Sequence, residues 1–220
     1  MKNIIITGAS SGIGLSLCKH YQQQGWQVYG ACRQASTELA GLNISVIENV
    51  DISKQEGIEA LSSSLSNINI DLLINNAGVL KDEVLGRINF DSIQSQMEVN
   101  AYGPLRVTEA LQGNFSQNAK VAMITSRMGS IADNTSGGRY GYRMSKAALN
   151  IASVSIAHDL KHKGVAVGII HPGLVGTRMI GGYGDITPDQ AASRIAQRID
   201  ELNLNNSGTF WHSNGETLPW

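Results

Sequence analysis

Short β-branched runs alternate with longer stretches of helical periodicity almost from one end of the chain to the other, and nothing else in the sequence restricts the fold so strongly. The runs Asn3–Ile6, Gln27–Ala31, Ile44–Glu48, Asp71–Ile74, Lys120–Thr125, Val165–Ile170 and Gly208–His212 read as strands. Most are continuously apolar rather than alternating, the pattern of strands covered on both faces. Between them Ile13–Gln24, Lys54–Leu65, Asp91–Leu111, Tyr142–Lys161 and Pro188–Leu202 read as helices, with a shorter one within Ser36–Leu42. This alternation predicts an α/β fold: one doubly wound domain over residues 1–220, its seven-stranded parallel sheet flanked by helices through right-handed crossovers. No linker-like shift in composition, internal repeat or low-complexity tract divides the chain.

The 220 residues suffice for a core that needs no disulfide or metal staple. A net charge of −1 leaves no basic excess to hold a phosphate backbone, so a nucleic-acid partner is excluded. Two cysteines, Cys18 and Cys32, make no framework and suit a reducing compartment. The apolar run after Lys2 extends only from Ile4 to Ile6, too short for a signal peptide, and no window approaches a membrane span. The expectation is a cytoplasmic, soluble protein with no membrane partner.

The first strand runs into Thr7-Gly8-Ala9-Ser10-Ser11-Gly12-Ile13-Gly14 and then a helical stretch. Gly8 permits the tight turn, Gly12 lets backbone approach a ligand, and Gly14 lets helix pack closely on strand. The helix N-terminus beyond presents free N–H groups and a positive dipole end to a phosphate. At the first strand of an alternating chain this favours a Rossmann-type dinucleotide site over a plain connecting turn.

The spacing Gly8-x-x-x-Gly12-x-Gly14 resembles that of the short-chain dehydrogenase/reductase family. So do Asn75-Asn76-Ala77-Gly78 after the fourth strand and Asn100 in Glu98-Val99-Asn100-Ala101. Ser126 ends the fifth strand, Tyr142 and Lys146 form Tyr-x-x-x-Lys, and Pro172-Gly173-Leu174-Val175-Gly176-Thr177 follows the sixth. These segments stand in the family's order and span nearly the whole chain. The stretch Ser126 to Asn150 is also similar to the branch that holds the sniffer carbonyl reductase and the bacterial C-factor.

The resemblance implies an NAD(P)-dependent oxidoreductase that reduces the carbonyl of an aldehyde, ketone or quinone. Its dinucleotide would lie on Gly8, Ser10, Ser11, Gly12, Ile13 and Gly14, then on Asn76, Ala77 and Gly78. An acidic residue at the end of the second strand would accept hydrogen bonds from the ribose of NAD. Here Cys32 and Arg33 stand there, and a guanidinium suits a 2′-phosphate, so NADPH is favoured over NADH. Asp51, with Ile52 beside it, resembles the residue that meets the adenine; it also reads as the N-cap of the helix at Lys54, and both roles stand. Pro172 and Gly173 would turn the chain against the nicotinamide, with the Val175 N–H and the Thr177 hydroxyl on its carboxamide.

On a helix Tyr142 and Lys146 share one face, which predicts an ammonium near the phenol that lowers its pKa and makes it a better acid. Ser126 would bond the substrate oxygen. It lies at 126 to the tyrosine's 142, against a family gap of about thirteen. The excess falls in Asn134–Gly138, and Ser130 is the rival serine. By resemblance Asn100 would hold a helix carbonyl and a water for proton relay, beside the reading of a purely structural asparagine. His158 and His162 lack the glutamate and third ligand of a zinc site, so no metal is expected. Family members associate through the long helices, here Asp91–Leu111 and Tyr142–Lys161, which implies a homodimer or homotetramer. A nucleotide-binding signalling protein of the C-factor type remains the alternative to an enzyme.

Overall fold

The structure is a computed structural model describing residues 1–220. Seven parallel strands form one sheet in the order β3-β2-β1-β4-β5-β6-β7. They are β1 (Asn3–Thr7), β2 (Gln27–Ala31), β3 (Ser45–Ile47), β4 (Ile70–Asn75), β5 (Phe115–Ile124), β6 (Ala166–His171) and β7 (Phe210–His212). The helices are α1 (Gly12–Gln23), α2 (Thr37–Ala40), α3 (Gln55–Ser64), α4 (Phe90–Met97), α5 (Gly103–Leu111), α6 (Tyr140–Leu160) and α7 (Pro188–Glu201).

Alternation along each strand sends neighbouring side chains to opposite faces, and both faces are covered. Ile5, Leu73, Val121 and Met123 join Leu61 of α3, Val107 of α5 and Leu149 of α6 in one core. Ile4, Ile6, Leu72, Ile74 and Ala122 join Leu17 of α1 and Ile195 of α7 in the other. That is why the strands read as unbroken apolar runs. The strand order reverses between β1 and β4, and the crevice above this switch point lies at the carboxyl ends of the strands.

Two elements differ from the sequence reading. The stretch Asp91–Leu111 is not one helix: a π-helical turn, Glu98–Tyr102, separates α4 from α5. The fifth strand begins at Phe115 rather than Lys120, because Phe115 pairs with Ile70 and the polar segment Ser116–Asn118 bulges before Lys120 pairs with Leu72. No helix is long and apolar enough to cross a membrane.

Candidate active site

The crevice is an open cleft whose floor is the glycine turn between β1 and α1. Gly12 has φ +55°, and a Cβ there would stand 3.3 Å from Thr177 Cγ2, so a side chain would intrude on the opposite wall. A Cβ on Gly14 would fall 2.2 Å from the Gly8 carbonyl oxygen, so this residue sets the contact between helix and turn. Accordingly Gly8, Ser10, Ser11, Gly12 and Ile13 line the cleft and Gly14 does not.

Ser11 occupies the N-cap of α1, yet its side chain makes no capping bond and the first turn holds no acid. The amides of Ser11, Gly12 and Ile13 donate to no group in the protein. A helix end left this way carries unsatisfied donors and a positive potential, which fits a phosphate. Asn76 locks the floor in place: Thr7 Oγ1 accepts both the Asn76 and Ala77 amides, and Asn76 Nδ2 donates to the Thr7 carbonyl at 3.0 Å.

At the far end of the cleft Cys32 is buried and Arg33 exposed, with no carboxylate paired to the guanidinium. No acid stands where a ribose diol would need one. Asp51 and Ile52 form the neighbouring wall. Asp51 Oδ1 accepts the Ser53 amide and hydroxyl at 3.0 and 2.7 Å, whereas Lys54 is the N-cap of α3. The capping role expected of Asp51 is therefore not the one it has. Burial works to raise its carboxyl, but the Ser53 bonds, Arg33 and Lys54 outweigh it and hold it below the usual range. These residues fit the adenosine half of a nicotinamide dinucleotide.

Tyr142 and Lys146 stand on the cleft wall, one turn apart at the start of α6. The lysine is 4% exposed, and burial brings its pKa down from 10.5 to about 8. Its ammonium donates to the Ile124 carbonyl at 2.9 Å and lies 5.9 Å from the centre of the Tyr142 ring. The expectation of a phenol lowered by this lysine is not met. Burial raises the Tyr142 phenol above its ordinary value, and a hydrogen bond with Ser126 and the charge of Arg139 only partly offset it.

Ser126 is buried behind the wall, where its hydroxyl also accepts the Met128 amide. The rival Ser130 accepts the Asp133 amide and so closes a turn. The extra residues between Ser126 and Tyr142 include Gly137 and Gly138, both with positive φ, whose carbonyls accept Arg143 Nε.

Asn100 sits in the π-helical turn and is fully buried. Its Oδ1 accepts the Val79 amide, while Nδ2 donates to the Val79 carbonyl and to Ser145 Oγ. It holds a loop carbonyl rather than the helix carbonyl that the resemblance implied, because the π turn faces it toward the segment after β4.

Pro172 and Thr177 line the cleft, whereas Gly173 and Val175 lie behind it. Gly173 takes φ +97° against Ile186, and Val175 is buried with its amide donating to no protein group. Met179 also reaches the wall, and so does Arg178, which nothing in the sequence singled out. Among the 220 residues no group of three or more His, Cys, Asp or Glu could hold a metal.

The short chain dehydrogenase family model matches residues 2–185. The chain belongs to the short-chain dehydrogenase family. This short-chain dehydrogenase is 40% identical over its full length to the 1-hydroxy-2-glutathionyl-2-methyl-3-butene dehydrogenase of Rhodococcus sp. (strain AD45), all of which is covered. It is 40% identical to the C-signal of Myxococcus xanthus, over 74% of this chain and 100% of that one. Among solved structures, a putative short-chain dehydrogenase/reductase from Burkholderia multivorans with bound NADP is similar at 30% identity and TM-score 0.88, covering 100% of this chain and 99% of the other. The protein is thus an oxidoreductase of this family, with a cleft fitted to a nicotinamide dinucleotide.

Proposed function

We propose that the protein is an NADPH-dependent carbonyl reductase in which Tyr142 gives the proton. One observation carries this reading: Tyr142 and Lys146 share a wall with the uncapped helix end, and Ser126 is close enough to the phenol to act on its proton. When bound, the dinucleotide supplies the hydride. Gly12 and Ile13 would hold its pyrophosphate, Arg33 the 2′-phosphate, Asp51 the adenine, and Lys146 and Thr177 the nicotinamide half.

Tyr142 would protonate the carbonyl oxygen as the carbon is reduced. A phenol raised by burial stays protonated near neutral pH, which is the form an acid must have. Ser126 would donate to the same oxygen and stabilise its developing charge. The NADP bound by the Burkholderia protein supports the choice of dinucleotide. A homodimer in the cytoplasm completes the reading, with Tyr102, Leu105 and Ile151 exposed on the helices that would meet.

The test is a panel of aldehydes, ketones and quinones with NADPH, extended in the oxidative direction to a glutathionyl alcohol because of the name of the Rhodococcus relative. Tyr142→Phe should lower kcat at least about 10²-fold and leave dinucleotide affinity within about twofold. An unchanged kcat would remove Tyr142 from the role. Dinucleotide binding with no turnover of any compound would favour a signalling protein, the reading that the C-signal relative suggests.

A further inference from the structure

The segment after β4 is held by a buried polar ladder. Asn100 bonds Val79 through both atoms of its amide, and Gln96 Oε1 accepts the Lys81 amide at 2.9 Å. Glu83 Oε1 accepts Gln96 Nε2 at 2.6 Å and Ser92 Oγ at 2.8 Å. Ser92, Gln96 and Asn100 are four residues apart and share one helical face; Val79, Lys81 and Glu83 are two apart and share one side of an extended segment.

The ladder also grips α6. Glu83 Oε2 accepts the Gly141 amide at 3.0 Å, and Asn100 Nδ2 donates to Ser145 Oγ at 3.0 Å. Gly141 and Ser145 immediately precede Tyr142 and Lys146. A Cβ on Gly141 would stand 2.5 Å from Gln96 Nε2 and 3.0 Å from Ile93 Cα, so the start of α6 sits directly on the Gln96 amide and the backbone of α4.

The start of α6 has no cap of its own. Arg139, at the N-cap, lies in the left-handed region at φ 51° and gives no side-chain bond to the helix amides. Its backbone N–H instead donates to the Glu83 carbonyl, and its guanidinium to Asp82. An orphan amide in the first turn needs an acceptor, and a carboxylate is the favoured one at a positive helix end. Glu83, 3% exposed, is that acceptor, brought from another part of the chain.

We propose that Glu83 is a positioning residue for the reaction: with Gln96 it fixes the rotation and height of the first turn of α6, and so the place of the Tyr142 phenol. The effect on rate rests on Tyr142 being the acid. A helix turns about 100° per residue, so a first turn that frays or slips takes the phenol off the cleft wall.

The test is an exchange of donors and acceptors. Glu83→Gln leaves one oxygen for two donors, so its nitrogen must face either Gln96 Nε2 or the Gly141 amide, and Glu83→Gln with Gln96→Glu restores one acceptor for each donor. In the second variant the Gly141 and Lys81 amides both keep an oxygen to bond. With NADPH and a carbonyl that the parent reduces, Glu83→Gln should lower kcat about ten- to a hundredfold while KM and dinucleotide affinity stay within about twofold. The double variant should return kcat to within about threefold of the parent.

A purely structural role would lower Tm alone, with kcat per folded molecule unchanged, and that result overturns the inference. So would a double variant that recovers Tm but not kcat. Hydrogen exchange needs no substrate: the Gly141 amide, which Glu83 accepts, should exchange at least about tenfold faster in Glu83→Gln and recover in the double variant. Unchanged exchange overturns the inference whatever the activity. If exchange behaves so and Tyr142→Phe keeps the parent rate, the ladder stands and the assignment of the acid fails.

Discussion

His171→Phe, measured at two pH values, isolates a single buried imidazole. His171 ends β6 with 7% of its surface exposed and an Nδ1 that has no hydrogen-bond partner. Its ring meets His212 edge-on, centroids 4.8 Å apart. Burial, then the charges of His212, Arg127 and Lys146, disfavour the imidazolium, and only Asp133 opposes them. The pKa falls from 6.5 to about 3. The folded chain therefore refuses a proton that the unfolded chain accepts below pH 6.5. The stability this confers is complete above the unfolded value and is lost as pH falls from there toward about 3.

At about 1.4 kcal/mol per pH unit, acidification from about pH 7.5 to about pH 5 removes about 2 kcal/mol through this residue. Most carboxylates have not yet titrated in that window. Phenylalanine keeps an aromatic ring against His212, loses no hydrogen bond at Nδ1 and cannot take the proton. Urea unfolding at both pH values should show the parent losing about 2 kcal/mol more than the variant. His212, also lowered, adds the same slope to both proteins unless the missing neighbour alters it. Equal losses in parent and variant would refute the reasoning, because the imidazole would then be protonating in the folded state.

Arg33→Ala should weaken NADPH binding by about 2 kcal/mol, a charge-assisted contact, and leave NADH nearly unchanged. Titration of both dinucleotides at one ionic strength checks this, and equal losses would place the 2′-phosphate elsewhere. Gly14→Ala drives a methyl to 2.2 Å from the Gly8 oxygen, so it should cost about 1–3 kcal/mol or more of stability and dinucleotide binding together. A thermal melt that matches the parent would contradict that contact.

The sequence made the sheet legible because both its faces are buried, which turns Ile4-Ile5-Ile6 and the runs like it into strong strand signals. It made the cleft legible through the glycine spacing and through Tyr142 and Lys146, whose order along the chain matches their place on one wall. It could not show the π turn at Glu98–Tyr102, since the extra residue per turn leaves no mark in an amphipathic pattern. Nor could it show where the Lys146 ammonium goes: helical spacing gives the shared face, while the Ile124 carbonyl that captures the charge comes from a distant strand. Nothing local marks Glu83 as a buried acid. Its burial depends on α4 and α6 meeting, and the spacing of Ser92, Gln96 and Asn100 against Val79, Lys81 and Glu83 was the trace it left.

Thr7 and Asn76 tie the turn after β1 to the turn after β4 through side chain and main chain alike. The cleft thereby splits into a fixed jaw and a replaceable one. The fixed jaw carries the glycine turn and cannot shift on one strand without dragging the other. The replaceable jaw, residues 178–187 with the glycines at 137 and 138, is anchored mainly to itself and to neighbouring backbone. Exchanging those two loops should therefore reshape one wall of the cleft while the tie between the turns after β1 and β4 stays as it is.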